Sequence, residues 1–361
     1  MTWRVLCGIA PILVLLLAAC TPKAPEPPAP SAPVATPDPA SLEPTLFMGN
    51  AACKPCHAAE FTSHAHTKHM QTLHEATQED LGELAPTPGA VPGGGTFTLE
   101  QGRFHADSPI ALKPGERVPL SVVLGSGKTG MTFMALFTET GAEIRQSYFP
   151  HEKKWFLTPG QERAQEGHNG RIYTKDATMQ CLTCHCVTLP QSRLLPERRF
   201  FGVGCESCHG PGSEHVVAMQ KGDKSKGVLL TALRGVGGKR LNEACGTCHR
   251  TPSDVAAMDA GAREMTQRFQ PYGLSLSKCF QKSADKLSCV TCHNPHEDAS
   301  TDTKQYEAVC VSCHAAPKKA CPVNPKEKCV SCHMPTRRIF NTAKSEIPIA
   351  MADHFIRVFK K

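Results

Sequence analysis

Alternation of apolar and polar residues is concentrated in one part of the chain, between residues 95 and 158. Four short runs there are rich in β-branched and aromatic residues and are separated by turn residues: TFTLE, RVPLSVVL, MTFMALF and IRQSYF. This pattern predicts a small antiparallel β insert. A Pro- and Gly-rich stretch, residues 79–94, precedes it and is typical of a linker.

The flanking regions lack strand-like alternation and predict helices. Residues 48–78 are expected to be helical, which would place His66 and His69 on one helix face because residues three apart are neighbours on a helix. Residues 179–335 leave room only for short helices and loops. The sequence therefore predicts a mainly α fold with much irregular structure and a β insert at about residues 95–158.

The first twenty residues predict export. Arg4 is followed by an apolar run, Val5 to Ala19, which is short for a membrane span and suits a secretory signal. It ends in Leu-Ala-Ala-Cys20, which resembles a bacterial lipobox and predicts a lipid anchor at Cys20. Thr21 in place of Asp does not signal inner-membrane retention, so an outer-membrane location is expected. An ordinary signal peptide or an uncleaved anchor is the alternative.

The expected domain organisation follows from these patterns. Residues 1–20 form the lipoprotein signal peptide, and the Pro/Ala-rich residues 21–46 form an extended linker. Residues 47–361 form the folded domain, which includes the β insert.

One short unit, Cys-x-x-Cys-His, is repeated seven times, and the copies are numbered here as motifs I to VII. The cysteine pairs, in order, are Cys53 and Cys56, Cys181 and Cys184, Cys205 and Cys208, Cys245 and Cys248, Cys289 and Cys292, Cys310 and Cys313, and Cys329 and Cys332. The histidines that follow them are His57, His185, His209, His249, His293, His314 and His333.

This unit is the attachment signature of a c-type haem. The two thiols form thioether bonds to the haem, and the adjacent histidine becomes the proximal ligand of the iron. Zinc ribbons or disulfides are the alternative, but they do not explain why His follows every second cysteine. The sequence thus predicts seven covalently attached haems, with the chain wrapped around them. With only 6 % aromatic residues, the chain has few large side chains for a conventional core, and haems would supply the missing apolar surface.

Five cysteines lie outside the motifs: Cys7, Cys20, Cys186, Cys279 and Cys321. So many cysteines fit an exported protein better than a cytosolic one. Cys279 and Cys321 are candidates for a disulfide, with buried thiols as the alternative.

Ten histidines remain after the motif histidines are set aside, and seven haems with two histidine ligands each would need seven of them. For any one of them, the alternative is an ordinary surface or core histidine. Iron with two histidine ligands is closed to substrate, which suits electron transfer.

Three segments resemble a known family. These are C-E-S-C-H-G-P-G-S-E-H from Cys205, C-V-T-C-H-N-P-H from Cys289, and C-V-S-C-H-M-P from Cys329. They are similar to the multihaem cytochromes c grouped with the tetrahaem cytochrome of ammonia oxidisers. The resemblance implies that His215, His296 and His354 ligate neighbouring haems. It also implies an early ligand after motif I, for which His64, His66 and His69 compete and His66 and His69 are favoured. His151 and His168 complete the expected set.

Two functions are consistent with these features. The first is electron transfer between redox proteins on the periplasmic side or at the cell surface. A haem-bearing scaffold in a larger complex is a further alternative. The second is a multihaem oxidoreductase that acts on a small nitrogen or sulfur compound at one open haem. All seven motifs end in His, which departs from related nitrite reductases with Lys at the active haem, so electron transfer is favoured.

Two further patterns exclude other functions. The formal net charge of +7 does not indicate nucleic-acid binding, because haem propionates would alter it. The segment from Gly125 to Thr129 resembles a phosphate-binding loop, but Val122 stands where that motif needs glycine, so a hairpin turn is predicted.

Overall fold

The computed structural model describes residues 46–92, 95–107, 116–161, 169–225, 235–258, 266–315, 321–323, 327–339, 341–342 and 345–359. All of them belong to one compact unit, Asp38–Lys361. The predicted signal peptide, Cys20, nearly all of the linker and His168 lie outside the described residues.

The strands are β1 (Leu73–Glu75), β2 (Gly89–Ala90), β3 (Thr96–Glu100), β4 (Arg103–Asp107), β5 (Arg117–Pro119), β6 (Val122–Leu124), β7 (Met131–Leu136), β8 (Thr140–Phe149), β9 (Lys154–Leu157), β10 (Gly170–Thr174), β11 (Thr336–Arg338), β12 (Asn341–Thr342), β13 (Ser345–Glu346) and β14 (Ala350–Ala352). One antiparallel sheet has the order β2-β3-β4-β5. A second has the order β1-β6-β7-β8-β10, with β9 also paired to β8. Two small ribbons, β11-β14 and β12-β13, lie near the carboxyl end.

The four predicted runs all form strands, and the β6–β7 pairing confirms a hairpin around Gly125. The β-rich region is larger than predicted, however. It draws β1 from before the linker and β10 from after residue 158, because both pair with strands of the insert. The mainly α description therefore holds only in part.

A hydrophobic core fills the space between these two sheets, and it contains no residue of a Cys-x-x-Cys-His motif. The ring of Phe97 stacks on Phe104 at 5.0 Å and meets Phe133 edge-to-face at 5.0 Å. Trp155 closes the cluster at 5.1 Å from Phe97. Each fully buried phenylalanine stabilises the fold by about 1.5–3 kcal/mol, so the β-rich region has its own source of stability.

The helices are short: α1 (Ala58–Ala65), α2 (Gln78–Leu81), α3 (Lys175–Thr183), α4 (Cys205–His209), α5 (Ser213–Gln220), α6 (Gly238–His249), α7 (Pro252–Ala257), α8 (Gln270–Ser275), α9 (Lys278–Lys282), α10 (Cys289–Cys292), α11 (Thr303–His314) and α12 (Cys329–His333). Single turns of 3-10 helix occur at Asn50–Ala52, Gly82–Leu84, Arg198–Phe200 and Thr266–Arg268. Local signals start several of them, such as the capping box of Thr251 and Asp254 before α7.

The predicted helix over residues 48–78 is wrong in its extent. Helix α1 ends at Ala65, and β1 begins at Leu73. The Thr67 amide and hydroxyl both donate to the carbonyl oxygen of His64, at 3.0 and 2.8 Å, and the Lys68 amide donates to Asp298 instead of continuing the helix. His66 and His69 therefore do not share a helix face.

Candidate haem-binding sites

The motifs occupy helical turns. Motifs III and VII are helices α4 and α12 themselves, and motifs IV and VI form the last turns of α6 and α11. Motif I is a turn in which the His57 amide donates to the Cys53 carbonyl at 2.9 Å. A helical turn places residues three and four apart on one side, so both cysteines and the following histidine can reach the same haem.

Four motif histidines face a second histidine from a distant part of the chain. The ring centres of His57 and His215 are 6.4 Å apart, and those of His69 and His249 are 6.0 Å apart. The other two pairs are His209 with His296 at 6.0 Å and His293 with His354 at 6.2 Å.

These distances fit one metal ion between each pair. Imidazole nitrogens bind a transition metal at about 2 Å, so two rings on opposite sides of one ion have centres about 6 Å apart. Burial lowers the pKa of His69 to about 4, with the neighbouring His249 as the next cause. Burial is also the main cause that lowers the pKa of His209, His249, His293 and His354. Neutral imidazole is the ligating form, and the residues at these four motifs therefore fit a six-coordinate haem iron.

Backbone carbonyls orient three histidine rings, two of motif histidines (motifs II and VII) and one of a facing partner. Nδ1 of His185 donates to Thr72 O at 2.9 Å, Nδ1 of His333 donates to Arg357 O at 3.1 Å, and Nδ1 of His354 donates to Ala352 O at 3.0 Å. A carbonyl can only accept, so Nδ1 carries the hydrogen and Nε2 keeps the lone pair. This is the arrangement that orients histidine ligands at metal centres.

The predicted second ligands meet different outcomes. The structure brings His69, His215, His296 and His354 against motif histidines. Among the described residues, His66 faces no motif histidine, and neither does His151, which lies exposed in the turn between β8 and β9. His168 lies outside the described residues. The ligand roles at all seven motifs stay predictions, and four of them now have a facing pair of histidines.

His64 has a role that the sequence did not indicate. Its ring lies edge-on to His296 at 6.3 Å, but its Nε2 donates to Val203 O at 2.9 Å. Because its Nε2 already donates a hydrogen bond, His64 packs against the ring of His296 and is not placed as a metal ligand. Three histidines follow motif I in the sequence, and only their contacts in the structure show that His69 is the one that faces a motif histidine.

Cysteines of different motifs are neighbours. Cys53 interacts with Cys205, Cys184 with Cys248, and Cys245 with Cys289. These sulfurs stand for thioethers in the protein with its cofactor. The contacts therefore place motif I beside III, motif II beside IV, and motif IV beside V.

The cysteines outside the motifs are not joined as expected. Cys279 and Cys321 form no disulfide with each other. Cys186 is buried, and its thiol donates to Leu182 O at 3.2 Å. Burial raises the pKa of Cys186 to about 12, which keeps it a thiol.

Two ligand-bearing segments are held together by Lys128, from the hairpin loop between β6 and β7. Its Nζ donates to Asp298 Oδ2 at 2.7 Å and to the carbonyl oxygen of His66 at 2.9 Å. The other carboxylate oxygen of Asp298 accepts from the Lys68 amide at 2.7 Å. We call this arrangement the Lys128 clamp. It fixes the segment that carries His69 against the segment that carries His296.

Replacing Lys128 with Met is expected to disturb the histidine pairs of motifs III and IV while leaving the fold intact. Half-exposed ion pairs are worth about 0–1 kcal/mol, so the free energy of unfolding should change little. Electron paramagnetic resonance (EPR) should instead show broadened or split low-spin signals. Lys128→Arg should restore sharp signals.

A matched control is Lys175→Met, which breaks another exposed ion pair, with Glu139. It should leave the EPR spectrum as in the wild type. Equal spectral changes in both Met variants would show that the Lys128 clamp does not position ligands.

Comparison with known proteins agrees with these sites. A family model described as "Cytochrome c554 and c-prime" matches residues 143–210, which include motifs II and III. Together with the seven motifs, this match supports a multihaem cytochrome c. No curated protein sequence matches the chain.

Two solved structures are similar at low identity. The first, "Outer Cell Wall Cytochrome OcwA", is 15% identical with a TM-score of 0.49, and the match covers 86% of this chain and 80% of that chain. The second, "Undecaheme cytochrome from S-layer of Carboxydothermus ferrireducens", is 15% identical with a TM-score of 0.42. That match covers 84% of this chain and 52% of the other, so this chain spans about half the length of the second protein.

Proposed function

We propose that this chain transfers electrons through seven covalently bound c-type haems, most of them held by two histidines. The observation that carries the proposal is that motifs from distant parts of the chain are neighbours. Cys53 lies beside Cys205, Cys184 beside Cys248, and Cys245 beside Cys289, so haems attached there would be neighbours too. When bound, haem iron supplies the one-electron ferric–ferrous chemistry.

The motif contacts support a branched order. Motif I adjoins III through Cys53 and Cys205, and Cys208 interacts electrostatically with Cys245 and Cys248 of motif IV. Motif IV adjoins II and V. Cys310 of motif VI interacts with Cys292 of motif V and Cys329 of motif VII. The order is thus I–III–IV–V–VI–VII, with II branching from IV.

The protein's residues have three tasks in this function. The cysteines would hold each haem covalently, the paired histidines would bind its iron, and the carbonyl groups keep the histidine rings in place. An iron held by two histidines would exclude substrate and would rearrange little when its charge changes. The four facing histidine pairs support this role at motifs I, III, IV and V.

The cellular setting is also part of the proposal. The signal sequence supports export and a lipid anchor at Cys20, on the periplasmic side or at the cell surface, with redox proteins as donors and acceptors. Within the described ranges, no helix is long and apolar enough to cross a bilayer.

Low-temperature EPR on the oxidised protein, titrated with nitrite, cyanide and sulfite, tests the proposal. We expect low-spin signals that do not respond to any of the three. A high-spin haem that binds one of them would overturn the pure electron-transfer role. It would favour the alternative, a multihaem oxidoreductase acting on a small nitrogen or sulfur compound.

A further inference from the structure

The positive charge of the chain is confined to its carboxyl end. Residues 1–315 contain 30 basic and 30 acidic side chains, whereas residues 316–361 contain 10 basic and 3 acidic ones. The whole formal net charge of +7 therefore belongs to the segment that surrounds motif VII. Such an asymmetry creates a local positive field that the net charge alone does not reveal, and the two propionates of one attached haem would offset only part of these seven charges.

The described residues place several of these cations around motif VII. Lys328 directly precedes Cys329 and is exposed, and Arg337 and Arg338 follow on the exposed strand β11. Arg357 is tied to the motif because its carbonyl oxygen accepts from Nδ1 of His333 at 3.1 Å. We name Lys328, Arg337, Arg338 and Arg357 the basic face.

Neighbouring side chains hold two residues of the basic face, Arg337 and Arg357, in place. The Arg357 guanidinium stacks over Phe355 at 4.0 Å and over Phe359 at 4.2 Å, and Arg337 stacks over Phe359 at 4.9 Å. Both arginines also approach Asp353, at 3.5 and 3.6 Å, and that carboxylate neutralises only part of their charge. Ordered arginines lose little entropy when they bind an anionic group.

Apolar surface is exposed beside the basic face. Val358, next to Arg357, is 77% exposed, and Val323 is 87% exposed. Cys321, two residues before Val323, interacts with Cys329, so this valine also belongs to the surroundings of motif VII. Arginine and aromatic residues beside exposed apolar side chains are typical of protein interfaces.

Motif VII is also an end of the proposed order of motifs. Cys332 is exposed, and Cys329 interacts with motif VI through Cys310. An end of the order that meets solvent is where electrons can enter or leave. We propose that the basic face is the docking site of an acidic electron-carrier protein, which exchanges electrons at motif VII. This inference rests on the proposed electron-transfer function.

Stopped-flow oxidation of the fully reduced protein by ferricyanide, a trivalent anion, tests the electrostatic part. Each ferrous haem gives one electron to one ferricyanide, which becomes ferrocyanide. The variant Arg337→Gln, Arg338→Gln should lower the second-order rate constant at least about threefold at low ionic strength and flatten its salt dependence. The matched control, Lys153→Gln, Lys154→Gln, removes two exposed charges at the β8–β9 turn and should match the wild type.

Binding provides a readout that does not depend on turnover. A fluorescein-labelled oligo-glutamate peptide should bind the oxidised wild type and the lysine control at low salt, and bind the arginine variant several-fold more weakly. Equal rates and equal binding in all three proteins would overturn the docking site. Binding of phosphatidylglycerol vesicles without peptide binding would overturn it too, and would assign the basic face to a membrane.

The two hypotheses fail in different ways. If ferricyanide oxidises every haem in all variants at the same rate, electron transfer stands and the docking site does not. If EPR finds an open, ligand-binding haem, the electron-transfer function fails while the charge effect on ferricyanide can persist.

Discussion

The double variant Cys245→Ser, Cys248→Ser is expected to lose the haem of motif IV and to lose stability more than any other single-motif variant. Motif IV adjoins motifs II and V through sulfur contacts, and Asn242 on the same helix donates to Pro271 O at 3.0 Å and accepts from Cys289 at 3.5 Å. An unfilled space there should cost at least about 3–5 kcal/mol, the cost of deleting one large buried side chain.

Electron transfer through the chain should be impaired as well. Motif IV lies where the proposed order branches, so its loss separates motifs I and III from motifs V to VII. Intact-mass measurement should find six haems, and stopped-flow reduction should become biphasic. Guanidinium titration should show a lowered midpoint.

The matched control removes a haem from the end of the order. The variant Cys329→Ser, Cys332→Ser should also carry six haems, but reduction of those six should stay monophasic and the midpoint should fall less. If both double variants lose the same stability and show the same kinetics, motif IV is not the junction.

The variant His69→Ala is expected to convert the haem of motif IV from low spin to high spin. His69 faces His249 at 6.0 Å, and alanine leaves no side-chain nitrogen to occupy that position. One low-spin EPR signal should disappear and one high-spin signal should replace it. Cyanide should then bind that haem. His69→Met should keep a low-spin haem with a potential raised by something on the order of 0.1 V.

His66→Ala is the control, because His66 lies three residues away and faces no motif histidine among the described residues. Its spectrum and potentials should match those of the wild type. A high-spin haem in His66→Ala with an unchanged spectrum in His69→Ala would contradict the pairing and favour His66 as the ligand.

Local sequence signals predicted the β strands well. Short strands with a period of two depend on nearest-neighbour chemistry, and the β3 run TFTLE is observed as a strand with the same bounds, Thr96–Glu100. The Cys-x-x-Cys-His unit is equally local. Its helical geometry is set within one turn.

Features that depend on distant residues could not be predicted in this way. Nothing in the sequence near His69 indicates that its ring faces His249, 180 residues later, instead of His57. Nor does the sequence indicate that His64 donates a hydrogen bond to the carbonyl oxygen of Val203. The helix after motif I ends early because the Lys68 amide donates to Asp298, a residue far along the chain, instead of to the helix. Likewise, Lys128 sits in a loop that resembles a phosphate-binding motif, and its partner Asp298 is far along the chain.

The facing histidines are interleaved along the chain, and this has a consequence for how the protein matures. His57 meets His215, which follows motif III, and His293 meets His354 near the carboxyl end. Under the proposed function, coordination at an early motif could therefore be completed only after a later segment has been translocated. Until His354 emerges, the haem of motif V would lack its partner ring, so chains truncated before His354 would leave the export machinery with an exposed iron and be open to proteolytic removal.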